Sequence, residues 1–269
     1  MKDKKFKVAC FQTNSSDLVD KNIDMLSKMF ACSKKKSFDL ICLPECVSVF
    51  SDKKKKIEFY SYYYHQKFLK FISAQSKKLS CFILVGSVPC KKKNGKFLNR
   101  SYIFDPKGKI LDYYDKINLF DVVLNKVETY QESKNFDPGK KIKVCNLPWG
   151  NLGMSICYDL RFPIMYKKMA QKRADFFSIP AAFTHTTGKA HWHTLIRTRA
   201  IENGCFVFAP AQSGIHDNGR KTYGHSLIVD PWGNILSEAS KDISIISAKI
   251  DLRLVKDARQ KIPSMSYYK

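Results

Sequence analysis

The chain is constrained most by a change of hydrophobic period that repeats along nearly its whole length. Apolar runs of about four to eight residues alternate with longer stretches of helical period, the pattern of an α/β fold. Phe6–Thr13 reads as a strand. Asp17–Lys36 reads as an amphipathic helix with Leu18, Ile23, Leu26, Met29 and Phe30 on one side. Phe38–Pro44 is the next strand, and Lys53–Lys78 a helical region rich in Tyr and Phe. Cys81–Pro89, Arg100–Phe104 and Ile110–Tyr114 follow as strands, the last two joined by the turn Asp105-Pro106-Lys107-Gly108. Residues 121–140 show no period and end in Asp137-Pro138-Gly139, so they read as a long loop, a kind often functional. Further strands are predicted at Ile142–Leu147, Leu152–Ile156, Phe176–Ala181, Cys205–Ala211, Ser226–Val229 and Ile243–Ile250. Helices are predicted near Pro163–Lys172, Lys189–Glu202 and Asp251–Lys261. No repeat, linker or low-complexity stretch divides the chain, so residues 1–269 are expected to form one domain.

Charge and cysteine content limit the function classes. Lys+Arg number 47 against 24 Asp+Glu, a net charge of +23. Such a balance invites a nucleic-acid or anionic-membrane reading. The lysines, however, lie in short runs scattered through connectors, such as Lys34–Lys36, Lys53–Lys56 and Lys91–Lys93, and only eight of the 47 are Arg. A nucleic-acid binder concentrates its basic residues and favours the planar arginine fork. The charge therefore reads as a solvated surface, with no specific nucleic-acid partner. Nine cysteines, an odd number mostly embedded in apolar runs such as Cys81–Gly86, show no paired metal-ligand spacing and fit a reducing compartment. The start carries too short an apolar stretch for a signal peptide, and no segment is apolar over the ~18 residues of a membrane span. A cytoplasmic protein without membrane contact is expected.

Reactive groups of open α/β sheets gather beyond the carboxyl ends of strands. Glu45 ends one predicted strand, Lys116 follows another, and Cys157 follows a third at a turn into helix. A carboxylate, an ammonium and a thiol in one cleft suit acyl transfer at an amide or nitrile carbon. The carboxylate can take the thiol proton, and the ammonium with the backbone N–H of Tyr158 can stabilise the oxyanion. On these residues alone, a structural cysteine beside two surface charges is the competing reading.

Three blocks, Leu43-Pro44-Glu45, Asp115-Lys116-Ile117-Asn118-Leu119-Phe120 and Cys157-Tyr158-Asp159-Leu160-Arg161-Phe162-Pro163, resemble the signatures of the nitrilase, or carbon–nitrogen hydrolase, superfamily. The resemblance runs from about Phe6 to Lys261. It implies an α-β-β-α sandwich, with Glu45 as general base, Lys116 as oxyanion stabiliser and proton donor, Cys157 as nucleophile, and Glu132 orienting Lys116. It implies no cofactor and no metal, and a homodimer or higher oligomer. The segments 182–192, Ala211-Gln212-Ser213-Gly214 and Tyr223-Gly224-His225-Ser226 are similar to the branch acting on deaminated glutathione; the omega-amidases share Thr187-Gly188-Lys189-Ala190-His191-Trp192 and differ around the other two. The expected reaction is amide hydrolysis to 2-oxoglutarate and cysteinylglycine. An omega-amidase is the alternative, and a catalytically idle basic interaction protein a remote one. The substrate is then a small anionic amide, for which Arg161 is expected to clamp a carboxylate and Phe183 and Thr187 to line the pocket. Two positions depart from the resemblance: His193 stands where an acid is common, and Gly204 where a larger polar residue is usual. His191 and His193, at i and i+2, point in different directions on a helix and suggest no metal pair. Tyr113, Tyr114 and the cluster Tyr60–Tyr64 read as packing or interface residues.

Overall fold

A computed structural model describes residues 4–126 and 128–264. The first half runs β1 (Lys5–Gln12), α1 (Val19–Ser33), β2 (Leu40–Cys42), α2 (Lys54–Phe59), a π-turn at Tyr60–Tyr64, α3 (His65–Leu79), β3 (Phe82–Lys91), β4 (Phe97–Phe104) and β5 (Ile110–Asp115). A short hairpin, β6 (Asp121–Val123) and β7 (Thr129–Gln131), leads to the second half. That half holds β8 (Lys143–Asn146), β9 (Asn151–Met154), α4 (Pro163–Gln171), β10 (Phe176–Ser178), α5 (His185–Asn203) and β11 (Phe206–Ala209). It closes with β12 (Ser213–Ile215), β13 (Lys221–Tyr223), β14 (Leu227–Val229), β15 (Ile235–Glu238), β16 (Ser244–Asp251) and α6 (Arg253–Lys261).

Two six-stranded sheets result, ordered β16-β1-β2-β3-β4-β5 and β15-β14-β11-β10-β9-β8. Each centres on three parallel strands, β1-β2-β3 and β9-β10-β11, with antiparallel strands outside. Period-2 alternation assigns the faces. Along β1, Phe6, Val8 and Cys10 point to the second sheet, while Ala9 and Phe11 point to α1 and α3. Phe6 stacks on Trp149 at 4.5 Å and meets Phe176 at 5.4 Å, joining the two sheets. The next residue, Phe177, faces the other way and packs edge-on to Tyr166 of α4 at 5.2 Å. Burying each such ring stabilises by about 1.5–3 kcal/mol, which holds the four layers together as an α-β-β-α sandwich.

Three expectations need correction. Residues 121–140 are not irregular throughout: they hold the β6–β7 hairpin and a 3₁₀ turn at Glu132–Lys134. Three-residue strands are too short to print a period. Helix α5 starts at His185, four residues before the predicted Lys189, because Thr184 Oγ1 caps it by accepting from Thr187 N at 3.3 Å. The hairpin β12–β13 and strand β15 were not legible as apolar runs, since they are largely exposed. Gly204 has a physical reason: it is the left-handed C-cap of α5 at φ +55°, and a Cβ there would meet Arg259 Cγ at 2.8 Å.

Candidate active site

Each central sheet delivers one reactive group past a parallel strand. Glu45 follows β2 by way of Leu43-Pro44, and Cys157 opens a 3₁₀ turn after β9. Lys116 follows the outer strand β5. Backbone contacts fix all three. The chain at Gly86 runs so close to Leu43 and Pro44 that a Cβ there would lie 2.1 Å from Leu43 O, so only glycine fits. Gln212 donates to the Glu45 carbonyl at 2.8 Å. Lys116 N donates to Asn99 O at 2.9 Å, and its own carbonyl accepts from Gly139 N at 2.7 Å. Cys157 N donates to Pro180 O at 2.9 Å, with φ at +47°, a left-handed conformation that costs a cysteine energy and is held by its surroundings.

The side chains meet at the floor of a cavity of about 410 Å³ lined by Glu45, Lys116, Glu132, Cys157 and Arg220 among others. Lys116 Nζ lies 2.8 Å from Glu45 Oε1 and 2.8 Å from Glu132 Oε2. Asn99 donates to both carboxylates, at 3.1 Å to Glu45 and 3.0 Å to Glu132. The second Glu45 oxygen accepts from Ala182 N at 2.9 Å, and Glu132 also accepts from Phe120 N at 2.7 Å. Glu45, Lys116 and Cys157 are 4%, 2% and 5% exposed, so these charges act on one another with little water between them.

Burial pushes the Glu45 carboxyl up, but Lys116, a hydrogen bond from Cys157 and the charge of Arg220 carry it below its ordinary value. Burial opposes the charge on Lys116, yet Glu132 and Glu45 hold its pKa well above the lysine norm. Burial and the neighbouring Glu45 push the Cys157 thiol well up, which Lys116 only partly offsets. The resting state is therefore a carboxylate, an ammonium and a neutral thiol. Such a set can pass the thiol proton to Glu45 as Sγ attacks, beside a cation already in place.

Asp159 is a residue whose role the sequence reading missed. It is buried, accepting from Ile156 N (2.9 Å), Tyr114 Oη (2.7 Å), Asn118 N (3.0 Å) and Asn118 Nδ2 (2.8 Å). These bonds tie the Cys157 turn to the segment that flanks Lys116. Burial raises its pKa despite the donors. Tyr158, next to Cys157, packs its ring against Phe120 and Phe162 at 5.1 and 5.5 Å. Phe183 and Thr187 border a small recess beside Cys157. Arg161 does not line this recess or the main cavity. Its guanidinium reaches His191 Nδ1 at 3.3 Å and stands 5.2 Å from the Phe183 ring. The arginine that does line both is Arg220. A second thiol, Cys46, also lines the main cavity, with its pKa driven up by burial.

His191 and His193 diverge, His191 toward Arg161 and His193 toward Glu238 at 2.9 Å. Away from the catalytic cavity, His193, His225 and Glu238 bring their ligand atoms within 4.8 Å of one another, an arrangement able to hold a metal ion. Neither histidine lines the catalytic cavity, so the chemistry above needs nothing from that cluster.

A carboxylate, an ammonium and a thiol stand together at strand ends of an α-β-β-α sandwich, an arrangement chemically able to cleave carbon–nitrogen bonds. The chain belongs to the carbon–nitrogen hydrolase family, whose profile matches residues 7–260, and it is an amide-hydrolysing enzyme. It is 35% identical over 268 residues to a deaminated glutathione amidase of Synechocystis, covering 98% of both chains. It is 32% identical to the mouse omega-amidase NIT2, over 96% of this chain and 93% of that one. Among solved structures, the C. elegans NitFhit protein superposes with a TM-score of 0.91 at 32% identity, covering all of this chain and 66% of that one. Saccharomyces cerevisiae Nit3, of the nitrilase superfamily, gives 0.86 at 30% identity, over 97% and 95%.

Proposed function

We propose that the protein hydrolyses the amide of deaminated glutathione, releasing cysteinylglycine and 2-oxoglutarate through a thioester on Cys157. The observation that carries this reading is the buried floor of the cavity, where a neutral thiol hydrogen-bonds a carboxylate held ionised by a paired lysine. On attack at the amide carbon, the thiol proton passes to Glu45 and Sγ forms the new bond. Lys116 and the Tyr158 backbone N–H receive the oxyanion. Glu45 then gives its proton to the leaving nitrogen, the C–N bond breaks, and Glu45 next activates water against the thioester. Glu132 keeps the lysine aimed. Phe183 and Thr187 wall the recess beside the thiol, and Arg161 supports Phe183 from behind.

A cavity of about 410 Å³ suits a tripeptide-sized amide, within the usual ~300–1,000 Å³ of small-molecule sites. A relative named for deaminated glutathione at 35% identity favours that substrate over the omega-amidase reaction of a 32% relative. Competing deaminated glutathione against 2-oxoglutaramate in one assay tests the reading: preference for the former is expected, and preference for the latter contradicts it. We also propose a cytoplasmic homodimer. Nine unpaired cysteines support a reducing compartment. Exposed Ile201, Trp232 and Ile262, which ring one surface groove, support self-association, to be read by sedimentation.

A further inference from the structure

We infer that Arg220 is the carboxylate anchor of the cavity, fixing an anionic end of the substrate relative to Cys157. The inference rests on the amidase reading and adds the group that selects a charged substrate. Arg220 ends the turn of the β12–β13 hairpin and reaches back over the cavity wall. Its Nη2 donates to Ala182 O at 2.7 Å, the residue whose N–H holds Glu45. Its Nε is buried and has no hydrogen-bond partner among the described residues, and no ion pair engages the guanidinium there. Other arginines are committed: Arg100 to Asp115, Arg199 to Glu202 and Arg253 to Asp251. A half-buried guanidinium with a buried, unpartnered Nε–H and no ion pair among the described residues is costly unless something anionic visits it.

The surroundings hold the plane still. The guanidinium lies 4.8 Å from the Tyr130 ring, 5.5 Å from Phe50 and 5.8 Å from Phe120, within cation–π reach of each. The hairpin root is rigid as well. His216 is buried and stacks on Phe50 at 3.7 Å. It bonds Ser15 O at 2.9 Å and Thr222 Oγ1 at 2.8 Å. Since a carbonyl only accepts, His216 carries its proton on Nδ1. A planar fork held in place, with no ion pair among the described residues and an Nε–H still free there, lines the same recess as the thiol and suits a carboxylate's two oxygens. Deaminated glutathione offers such a group at either end, on the 2-oxo acid or on the glycine.

Steady-state kinetics of Arg220→Gln test this with deaminated glutathione, 2-oxoglutaramate and the neutral methyl ester of each. The expected result is a KM raised between about tenfold and a hundredfold for the acids, the worth of a hydrogen bond to a charged group. The esters should change little, and kcat should hold within about threefold. Loss with both acids places the anchor on the 2-oxo acid; loss with deaminated glutathione alone places it on the glycine. Equal losses for acids and esters, or a fall in kcat at constant KM, overturn the inference. Arg220→Lys, which keeps the charge, should recover part of the lost affinity if the fold is intact. Calorimetric binding of 2-oxoglutarate and of cysteinylglycine to Cys157→Ala, with and without Arg220→Gln, separates the inference from the amidase reading. Binding of either one weakened at least about tenfold by Arg220→Gln supports the anchor even if no amidase turnover is found, and unchanged binding of both overturns it.

Discussion

The floor of the cavity and its mouth are built by different physics. On the floor, Glu45, Lys116, Glu132 and Asn99 form a closed network of paired charges whose backbone is pinned by neighbouring strands. At the mouth, Tyr130, Phe120 and Arg220 come from short hairpins and connectors and meet through ring faces, with one guanidinium in no ion pair among the described residues. The floor is preorganised to do one chemistry. The mouth is where a change of one residue can change what that chemistry acts on. Strand ends position, and loops select.

Breaking the floor should cost the most. Cys157→Ala should lower turnover by at least about 10⁴-fold, because it removes the one cavity thiol with a side-chain hydrogen bond to Glu45. The fold should survive, as read by circular dichroism. Glu132→Gln leaves Lys116 in place but removes one of its two counter-charges. About a hundredfold loss in kcat is expected from a misaimed oxyanion cation, and near-wild-type kinetics would show that Glu132 serves packing alone.

The pH profile sharpens the same contrast. Glu45 is the acid limb: its pKa lies below its ordinary value, so kcat/KM should fall only as the pH drops below about 4.5 and the carboxylate protonates. The thiol is pushed well up, so the rate should stay level through about pH 8.5. A rise through that region would mean that a free thiolate attacks, against the neutral resting thiol derived above. A smaller, purely structural effect is expected at Asp159. Asp159→Asn turns an acceptor of four hydrogen bonds into a group that sets an amide N–H₂ against donors. A loss of about 1–3 kcal/mol in chemical denaturation is expected, with activity falling alongside as the Cys157 turn loosens. Least of all should depend on the lysine runs. Raising ionic strength should reduce kcat/KM for an anionic amide by less than about tenfold, since exposed charges act only through a screened field.

The same division explains what could be read in advance. Glu45 and Cys157 sit after buried apolar strands, which announce themselves through runs such as Phe82–Val85, whereas Lys116 follows the largely exposed outer strand Ile110–Asp115. Arg220 did not announce itself. It lies between three-residue strands whose alternate residues are exposed, so no period marks them, and its approach to Ala182 spans 38 positions. Arg161 was the natural choice because it neighbours Cys157 in sequence, yet the 3₁₀ turn swings it toward His191. Asp159 is not marked by the sequence for a similar reason: its partners Tyr114 and Asn118 are brought to it only by sheet packing. The signal that could have flagged it is chemical, since an acid inside an otherwise apolar block must find donors when buried.

The account stands or falls on which sulfur carries the acyl group. Two thiols, Cys157 and Cys46, line the same cavity, and only the first is hydrogen-bonded to Glu45 through its side chain. The direct measurement is mass spectrometry of the enzyme acid-quenched during turnover of deaminated glutathione, followed by peptide mapping. A 2-oxoglutaryl adduct is expected on the peptide bearing Cys157. An adduct on Cys46, or turnover that persists in Cys157→Ala, would contradict it.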